Sequence, residues 1–152
     1  MSCCAVIGYQ DLKYREVLWI LFPVLAVALG TLYYLQAPSS VFLLNIAFNL
    51  CLVSLILLLL WGYARFVAKK QFLNHSFGLG DLLFFYAFSI SFPSYTFILL
   101  FVGAIFFSLL CFLILKSRLK YRTVPLAGLM SLFLFGIIAC SLFVSYPSLY
   151  TI

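Results

Sequence analysis

Long apolar runs, separated by short polar connections, constrain the fold of this chain most. Four runs, Val17–Leu35, Val41–Tyr63, Tyr95–Leu115 and Val124–Tyr146, are close to the length that an α-helix needs to cross a bilayer. Of the 152 residues, 67% are hydrophobic and 8% are charged, which excludes an ordinary soluble domain. We therefore expect an all-α, polytopic transmembrane helical bundle that forms a single domain over residues 1–152.

Two further apolar runs are shorter. Phe77–Phe92 has 16 residues, about 24 Å as a helix. Met1–Gln10 is about half a bilayer long, and the charged run Asp11–Glu16 that follows it is expected to be a loop. The sequence thus predicts about five full spans and a short N-terminal half-span.

The basic residues are distributed asymmetrically. All nine Lys and Arg lie in segments 13–15, 65–70 and 116–122, whereas segments 36–40, 93–94 and 147–152 have none. Under the positive-inside rule the three basic segments face the cytoplasm and the C-terminal tail faces outside. Membrane topology therefore explains the net charge of +6, and we expect no nucleic-acid partner.

The acidic residues are few, namely Asp11, Glu16 and Asp81. Ionised carboxylates are unfavourable inside a bilayer and often mark functional sites there. Asp11 and Asp81 are 70 positions apart, yet the predicted topology puts both at the cytoplasmic membrane boundary. Asp81 ends the run Gly78-Leu79-Gly80-Asp81, so an alternative role is to cap the helix that follows a glycine turn.

The other polar and aromatic residues have simpler interpretations. Asn45 and Asn49 share a helix face and predict hydrogen bonds between helices, with contact to a polar substrate as the alternative. His75 is expected to be a solvated loop residue, and no metal-ligand spacing occurs. The cysteines are expected to be packing residues, although the adjacent Cys3 and Cys4 could be oxidised or lipidated. Most of the 18 Phe and 10 Tyr are expected to face lipid.

Three segments together resemble the prepilin (type IV leader) peptidases, membrane aspartyl proteases of the GxGD class. Asp11-Leu-Lys-Tyr-Arg15-Glu16-Val17 is similar to the family's first aspartate motif, D-x-x-x-R-x-I-P-N, as far as Val17. Gly78-Leu79-Gly80-Asp81 matches the second aspartate motif, and Thr123-Val124-Pro125 is similar to the start of a later span. The resemblance extends over nearly the whole chain.

The chain also departs from the family pattern. Leu18 and Trp19 replace the usual Pro-Asn, and Leu83 stands where a Lys is common. The cysteine-rich cytoplasmic domain of larger members is missing, so the methyltransferase activity of those members is not expected. The departures bear on catalytic efficiency and substrate choice, but both aspartates are retained.

The resemblance implies an aspartic-type endopeptidase without metal or cofactor, in the bacterial inner (cytoplasmic) membrane. Asp11 and Asp81 would form the catalytic dyad, with one carboxyl holding a proton while the other activates water. Gly78 and Gly80 would let an extended substrate lie close to Asp81. Arg15 would orient Asp11 or anchor its segment to lipid headgroups. The implied partners are membrane lipid and a pilin-like precursor, cut at the cytoplasmic boundary between its basic leader and hydrophobic stem.

Two functions from other classes stay open. A catalytically inactive relative could serve as a membrane scaffold or assembly subunit, which the missing Pro-Asn and Lys residues favour and the retained aspartates oppose. A small transporter would need ionisable groups near the middle of the membrane, where none of the three acidic residues is expected. The sequence does not decide the oligomeric state or the identity of the substrate.

Overall fold

The computed structural model describes residues 2–14, 17–67, 78–115 and 126–143, and these form an all-helical fold. The described helices are α1 (Ser2–Tyr14), α2 (Leu21–Gln36), α3 (Ser39–Gly62), α4 (Leu79–Ser89), α5 (Ser94–Leu115) and α6 (Leu126–Phe143). A π-helical turn, Tyr63–Val67, continues α3. Parts of all three basic segments, including Arg15, lie outside the described residues, as do Glu16 and His75.

Each predicted apolar run overlaps one of these helices, with boundaries that differ by a few residues. The largest difference is at the first charged segment, where the predicted loop over Asp11–Glu16 is wrong for residues 11–14. Helix α1 continues through Asp11 to Tyr14, and the chain turns at residues 17–20 before α2 begins. Asp11 therefore projects from a helix that packs closely against α6, which restricts where its carboxylate can lie.

Two of the described helical segments are long and apolar enough to cross a membrane, Ser39–Phe66 and Ser94–Ile114. The apolar helices α2 and α4 are shorter, with 16 and 11 residues. At 1.5 Å per residue, α4 is only about 16 Å long. The expected all-α class is confirmed, and two helices of membrane-spanning length occur among the described residues, so the predicted number of about five spans stays a prediction.

Phenylalanine side chains from α4, α5 and the turn between them form the centre of the core. Phe88 is fully buried, and its ring centroid lies 5.7–6.1 Å from those of four other phenylalanines. These neighbours are Phe84, Phe92, Phe97 and Phe101, all at most 3% exposed. Rings at these separations pack in the edge-to-face and tilted arrangements that aromatic quadrupoles favour. This part of the aromatic content therefore builds the core and does not face lipid.

Contacts along α3 and α4 show that these helices run in opposite directions. Asn49 of α3 bonds to the backbone at the C-terminal end of α4, whereas Ser54, further along α3, lies 3.2 Å from the Tyr86 hydroxyl, nearer the start of α4. Helix α2 runs parallel to α4, because its residue Phe22 faces Gly80 and its residue Gly30 faces Ile90. The end of α3 and the starts of α2 and α4 therefore lie on the same side of the molecule.

Helices α1 and α6 are antiparallel, since Gly8 faces Ser131 and Leu132 while Asp11 reaches Gly128. The start of α6 meets the start of α4 through Asp81. We call this side of the molecule, with Asp11, Asp81 and the helix ends that flank the basic segments, the carboxylate end. The side with the α2–α3 and α4–α5 turns is the amide end.

The amide end is held together by the two predicted asparagines. Asn49 is fully buried and donates 3.0 Å hydrogen bonds to the carbonyl oxygens of Ser89 and Phe92. Asn45 donates to the Tyr33 hydroxyl at 2.6 Å and accepts from the Ser94 hydroxyl at 3.0 Å. The predicted hydrogen bonds between helices are thus confirmed, and they fix the α4–α5 turn against α2 and α3.

Candidate functional site at the start of helix α6

The first backbone N–H groups of an α-helix have no carbonyl partner within the helix, so they need acceptors from elsewhere. In α6 two side chains from distant parts of the chain supply these acceptors. The Ala127 N–H donates to Oδ1 of Asp81 at 2.7 Å, and the Gly128 N–H donates to Oδ2 of Asp11 at 2.6 Å. The two aspartates singled out from the sequence therefore meet on consecutive backbone amides.

These bonds limit the separation of the two carboxylates. Because consecutive backbone nitrogens are roughly 3 Å apart, the two bonded oxygens lie within about 8 Å of each other. Both aspartates are half-buried. The two carboxylates thus form one site that is partly open at the surface.

Asp11 is positioned by the close packing of α1 against α6. A Cβ atom added to Gly128 would lie 2.8 Å from both Cβ and Oδ2 of Asp11, closer than real side chains approach. A Cβ atom added to Gly8, one turn earlier on α1, would lie 2.9 Å from the Leu132 side chain. The glycine at 128 therefore provides the space in which the Asp11 carboxylate reaches the α6 backbone.

Asp81 is positioned by the start of its own helix. Gly78 is the N-cap residue of α4, with φ −74° and ψ 140°, and Asp81 lies in the first turn. A carboxylate in this position is stabilised by the positive end of the helix dipole. The side chain also reaches across to α6, so it lies between the N-termini of two helices.

The two glycines of the GxGD run differ in their surroundings. A Cβ atom added to Gly78 would lie 3.2 Å from Oδ2 of Asp81 itself. One added to Gly80 would first meet the Phe22 ring at 3.6 Å, an ordinary van der Waals distance. The backbone is thus tightly approached at Gly78, by the aspartate of the same motif, and Gly80 has room for a methyl group.

Comparisons with known proteins add nothing to this geometry. No family model, curated protein or solved structure matches this chain. The resemblance to prepilin peptidases therefore rests on the sequence motifs alone, and the activity that it implies is a proposal.

Sequence reasoning missed the backbone amides of Ala127 and Gly128, which join the two aspartates. A signal for them was present, because Pro125 predicts a helix start and every helix start needs acceptors for its N–H groups. Arg15, which was predicted to orient Asp11 or to anchor its segment to lipid headgroups, lies outside the described residues. Within the described part of the chain, no three His, Cys, Asp or Glu side chains come together.

The arrangement brings two carboxyl groups into one half-buried site, which is what acid–base chemistry by two carboxyl groups requires. Backbone N–H donors and helix N-termini stabilise negative charge, and two nearby carboxylates disfavour double ionisation. A site with two carboxyl groups can serve both roles when one of them holds a proton and the other is ionised. It can therefore supply a general acid and a general base to the same bound substrate.

Proposed function

We propose that this protein is an intramembrane aspartic endopeptidase that removes the leader of pilin-like precursors at the cytoplasmic membrane boundary. The observation that carries the proposal is the meeting of Asp11 and Asp81 on consecutive amides of α6. If the GxGD match were due to chance, there would be no reason for a second aspartate to lie beside Asp81, from a helix that starts 77 residues earlier in the chain. The motif resemblance then gives the substrate class.

The proposed reaction is hydrolysis of one peptide bond. The ionised carboxylate takes a proton from a water molecule while the water oxygen attacks the peptide carbonyl carbon. At the same time the protonated carboxyl group donates its proton to the carbonyl oxygen. The tetrahedral intermediate then collapses, its C–N bond breaks, and the leaving nitrogen takes up a proton from the dyad. The products are a free carboxyl on the leader and a free amine on the stem. Either aspartate can fill either role.

The position of the two carboxylates on their helices supports this choice of substrate. Asp11 is near the end of α1 and Asp81 is in the first turn of α4, so both carboxylates lie at helix ends and not along helix centres. We propose that about five helices span the bacterial inner membrane, with the carboxylate end towards the cytoplasm. The basic leader of a precursor would then lie in water and its hydrophobic stem in the bilayer.

A second candidate function is that of an inactive membrane scaffold, and the same hydrogen bonds favour it. Both aspartates act as acceptors for α6, as N-cap residues do, so their retention has a structural explanation that needs no catalysis. The replacement of Pro-Asn by Leu18 and Trp19 agrees with this alternative. Substitutions that keep the acceptor but remove the acid distinguish the two candidates.

Cleavage is tested by co-expression with a panel of pilin-like precursors from the same genome. The wild-type chain should shorten at least one precursor by its leader, as seen on a blot. Asp11→Asn and Asp81→Asn should each leave that precursor at full length while remaining in the membrane at wild-type levels. Cleavage by either variant at the wild-type rate would reject a two-aspartate mechanism and favour the scaffold.

The orientation is tested separately with reporter fusions. Fusions after Lys70 and Lys120 should report the cytoplasm, and fusions after Ser39 and Ile152 should report the outside. An outside signal from Lys70 would put Asp81 on the wrong side of the membrane for this substrate class.

A further inference from the structure

Exposed aromatic side chains cluster at the carboxylate end in two places. Tyr9, Tyr14 and Trp19 are exposed near the α1–α2 connection, and Trp61, Tyr63 and Phe66 are exposed near the end of α3. Both tryptophans of the chain are in this set, which we call the aromatic belt. Tryptophan and tyrosine are enriched at membrane–water interfaces, where one part of the ring system is apolar and the other is hydrated.

The exposed side chains at the amide end and along the middle of α3 also fit a helix bundle that crosses a bilayer. Tyr34 and Tyr95 are exposed at the amide end. Between the two ends of α3 the exposed large side chains are Leu and Phe, such as Leu44, Phe48 and Leu55. From the first residue of α3 to Trp61 the helix extends about 33 Å. This length is close to the hydrocarbon thickness of a bilayer, about 30 Å.

The aromatic belt also carries exposed positive charge. The Lys13 ammonium donates a 2.6 Å hydrogen bond to the Tyr9 hydroxyl and lies 5.0 Å from the ring centroids of both Tyr9 and Tyr14. The Lys13 ammonium is charged at neutral pH, and its hydrogen bonds with Tyr9 and then Tyr14 raise its pKa further. Arg65 is exposed beside Tyr63 and Phe66. Cations beside interfacial aromatic rings complement anionic lipid headgroups.

We infer that the aromatic belt contacts the headgroup layer of the membrane, with Lys13 selecting anionic phospholipid. This contact would fix the depth of the two aspartates, because Asp11 lies between Tyr9 and Lys13 on α1. The carboxylates would then be held at the level of the headgroups, within reach of water. The inference rests on the membrane assignment in the proposed function, and it is independent of catalysis.

Tryptophan fluorescence in reconstituted vesicles tests the depth. In Trp61→Phe and Trp19→Phe, the single remaining tryptophan should be quenched more by a spin label at the lipid headgroup than by one at the end of the acyl chain. The control is Phe48→Trp in a chain that lacks both native tryptophans, because Phe48 is exposed near the middle of α3. This control should show the opposite preference.

The anionic preference is tested with brominated lipids in the Trp61→Phe chain. Brominated phosphatidylglycerol should quench Trp19 more than brominated phosphatidylcholine does, and the excess can reach about fivefold for a single lysine near the surface. Lys13→Gln should lower this excess, although Arg65 remains, and Lys13→Arg should keep it. An unchanged excess in Lys13→Gln would reject Lys13 as the selecting residue.

Three results would overturn the headgroup contact. In the first, the acyl-chain label quenches Trp19 and Trp61 more strongly than it quenches the tryptophan of the Phe48→Trp control. In the second, aqueous iodide quenches both native tryptophans and the lipid labels do not. In the third, neither the lipid labels nor iodide quench them. The last result would indicate that another protein chain covers the aromatic belt. Because cleavage is not measured, such a failure would leave the peptidase proposal to its own test.

Discussion

The carboxylate end and the amide end of this molecule solve the same structural problem with different chemistry. At each end, side chains from distant helices bond to backbone groups at helix termini. At the amide end Asn49 is fully buried and donates to two carbonyl oxygens, that of Ser89 at the end of α4 and that of Phe92 just after it. At the carboxylate end Asp11 and Asp81 accept from two N–H groups of α6, and both are half-buried.

The difference in chemistry follows first from the backbone groups, because carbonyl oxygens need a donor and N–H groups need an acceptor. A neutral amide satisfies backbone groups without the desolvation penalty of a charge, so it is sufficient where only packing is needed. The N–H groups at the start of α6 need acceptors, which asparagine supplies as well as aspartate does, so acceptance alone does not require an acid at positions 11 and 81. The acidic pair at the carboxylate end is therefore the part of the molecule to test for catalysis, and the amide end is its internal reference.

The largest effects are expected at the aspartates. Asp81→Asn and Asp81→Ala should both reduce cleavage by about 10²–10⁴-fold, the usual contribution of a general acid or base. Asparagine keeps an oxygen acceptor for the Ala127 N–H, so only the alanine variant should also lose about 1 kcal/mol of stability. Thermal unfolding in detergent, measured together with cleavage, separates the loss of stability from the loss of activity. Near-wild-type cleavage by Asp81→Asn would show that Asp81 has only the capping role.

The next largest effect is expected at Gly128. Gly128→Ala puts a methyl group where Asp11 lies, and a displacement of about 1 Å at a catalytic group can reduce the rate about 100-fold. Gly136→Ala is the matched control on the same helix, because nothing lies within 4 Å of its added Cβ atom. Purified variants are compared by cleavage rate at equal folded concentration. Equal activity in the two variants would contradict the geometry at Asp11.

At the amide end we expect a loss of stability without a loss of chemistry. Asn49→Ala leaves the Ser89 and Phe92 carbonyls without their donor and should lower the free energy of unfolding by about 2–3 kcal/mol. Asn45 is half-buried, so Asn45→Ala should have a smaller effect of about 1 kcal/mol. Cleavage per folded molecule should stay within about threefold of wild type for both. A 100-fold loss would mean that the two ends are not independent.

The smallest effects separate the two glycines of the GxGD run. Gly80→Ala has room beside Phe22 and should raise stability by about 0.5–1 kcal/mol, since alanine favours a helix. Gly78→Ala crowds the Asp81 carboxylate and should reduce cleavage by about three- to tenfold. Cleavage rates of the two variants, measured side by side, decide the point. An equal loss of cleavage in both would instead favour the predicted substrate path along both glycines.

The helices and the hydrogen bonding of the two asparagines between helices were well predicted from the sequence, because both depend on local patterns. Apolar runs predict helices wherever a chain must satisfy its own backbone, and residues four apart share a helix face. Local patterns did not distinguish core positions from lipid-facing positions, because phenylalanine is favourable in both environments. Only the contacts around Phe88 show that these rings form the core.

The site was half predictable. The two aspartates were found from their rarity and from the predicted topology, which needed no tertiary information. Their link through Ala127 and Gly128 depends on how closely α1 approaches α6, and no local pattern specifies that distance. The same contact explains why residues 11–14 are helical in spite of their charged, loop-like sequence. When α1 continues through Asp11, the carboxylate faces the start of α6 and accepts a hydrogen bond from the Gly128 N–H.

The central claim is that Asp11 and Asp81 act as one catalytic unit, and a double-mutant cycle tests it most directly. Single-turnover cleavage of one precursor is measured for the wild type, Asp11→Asn, Asp81→Asn and the double variant. If the two aspartates form one dyad, the double variant should be no slower than the slower single variant, because residues that act as a unit are strongly non-additive. Losses that multiply in the double variant would show that the two aspartates act separately, and would contradict the account.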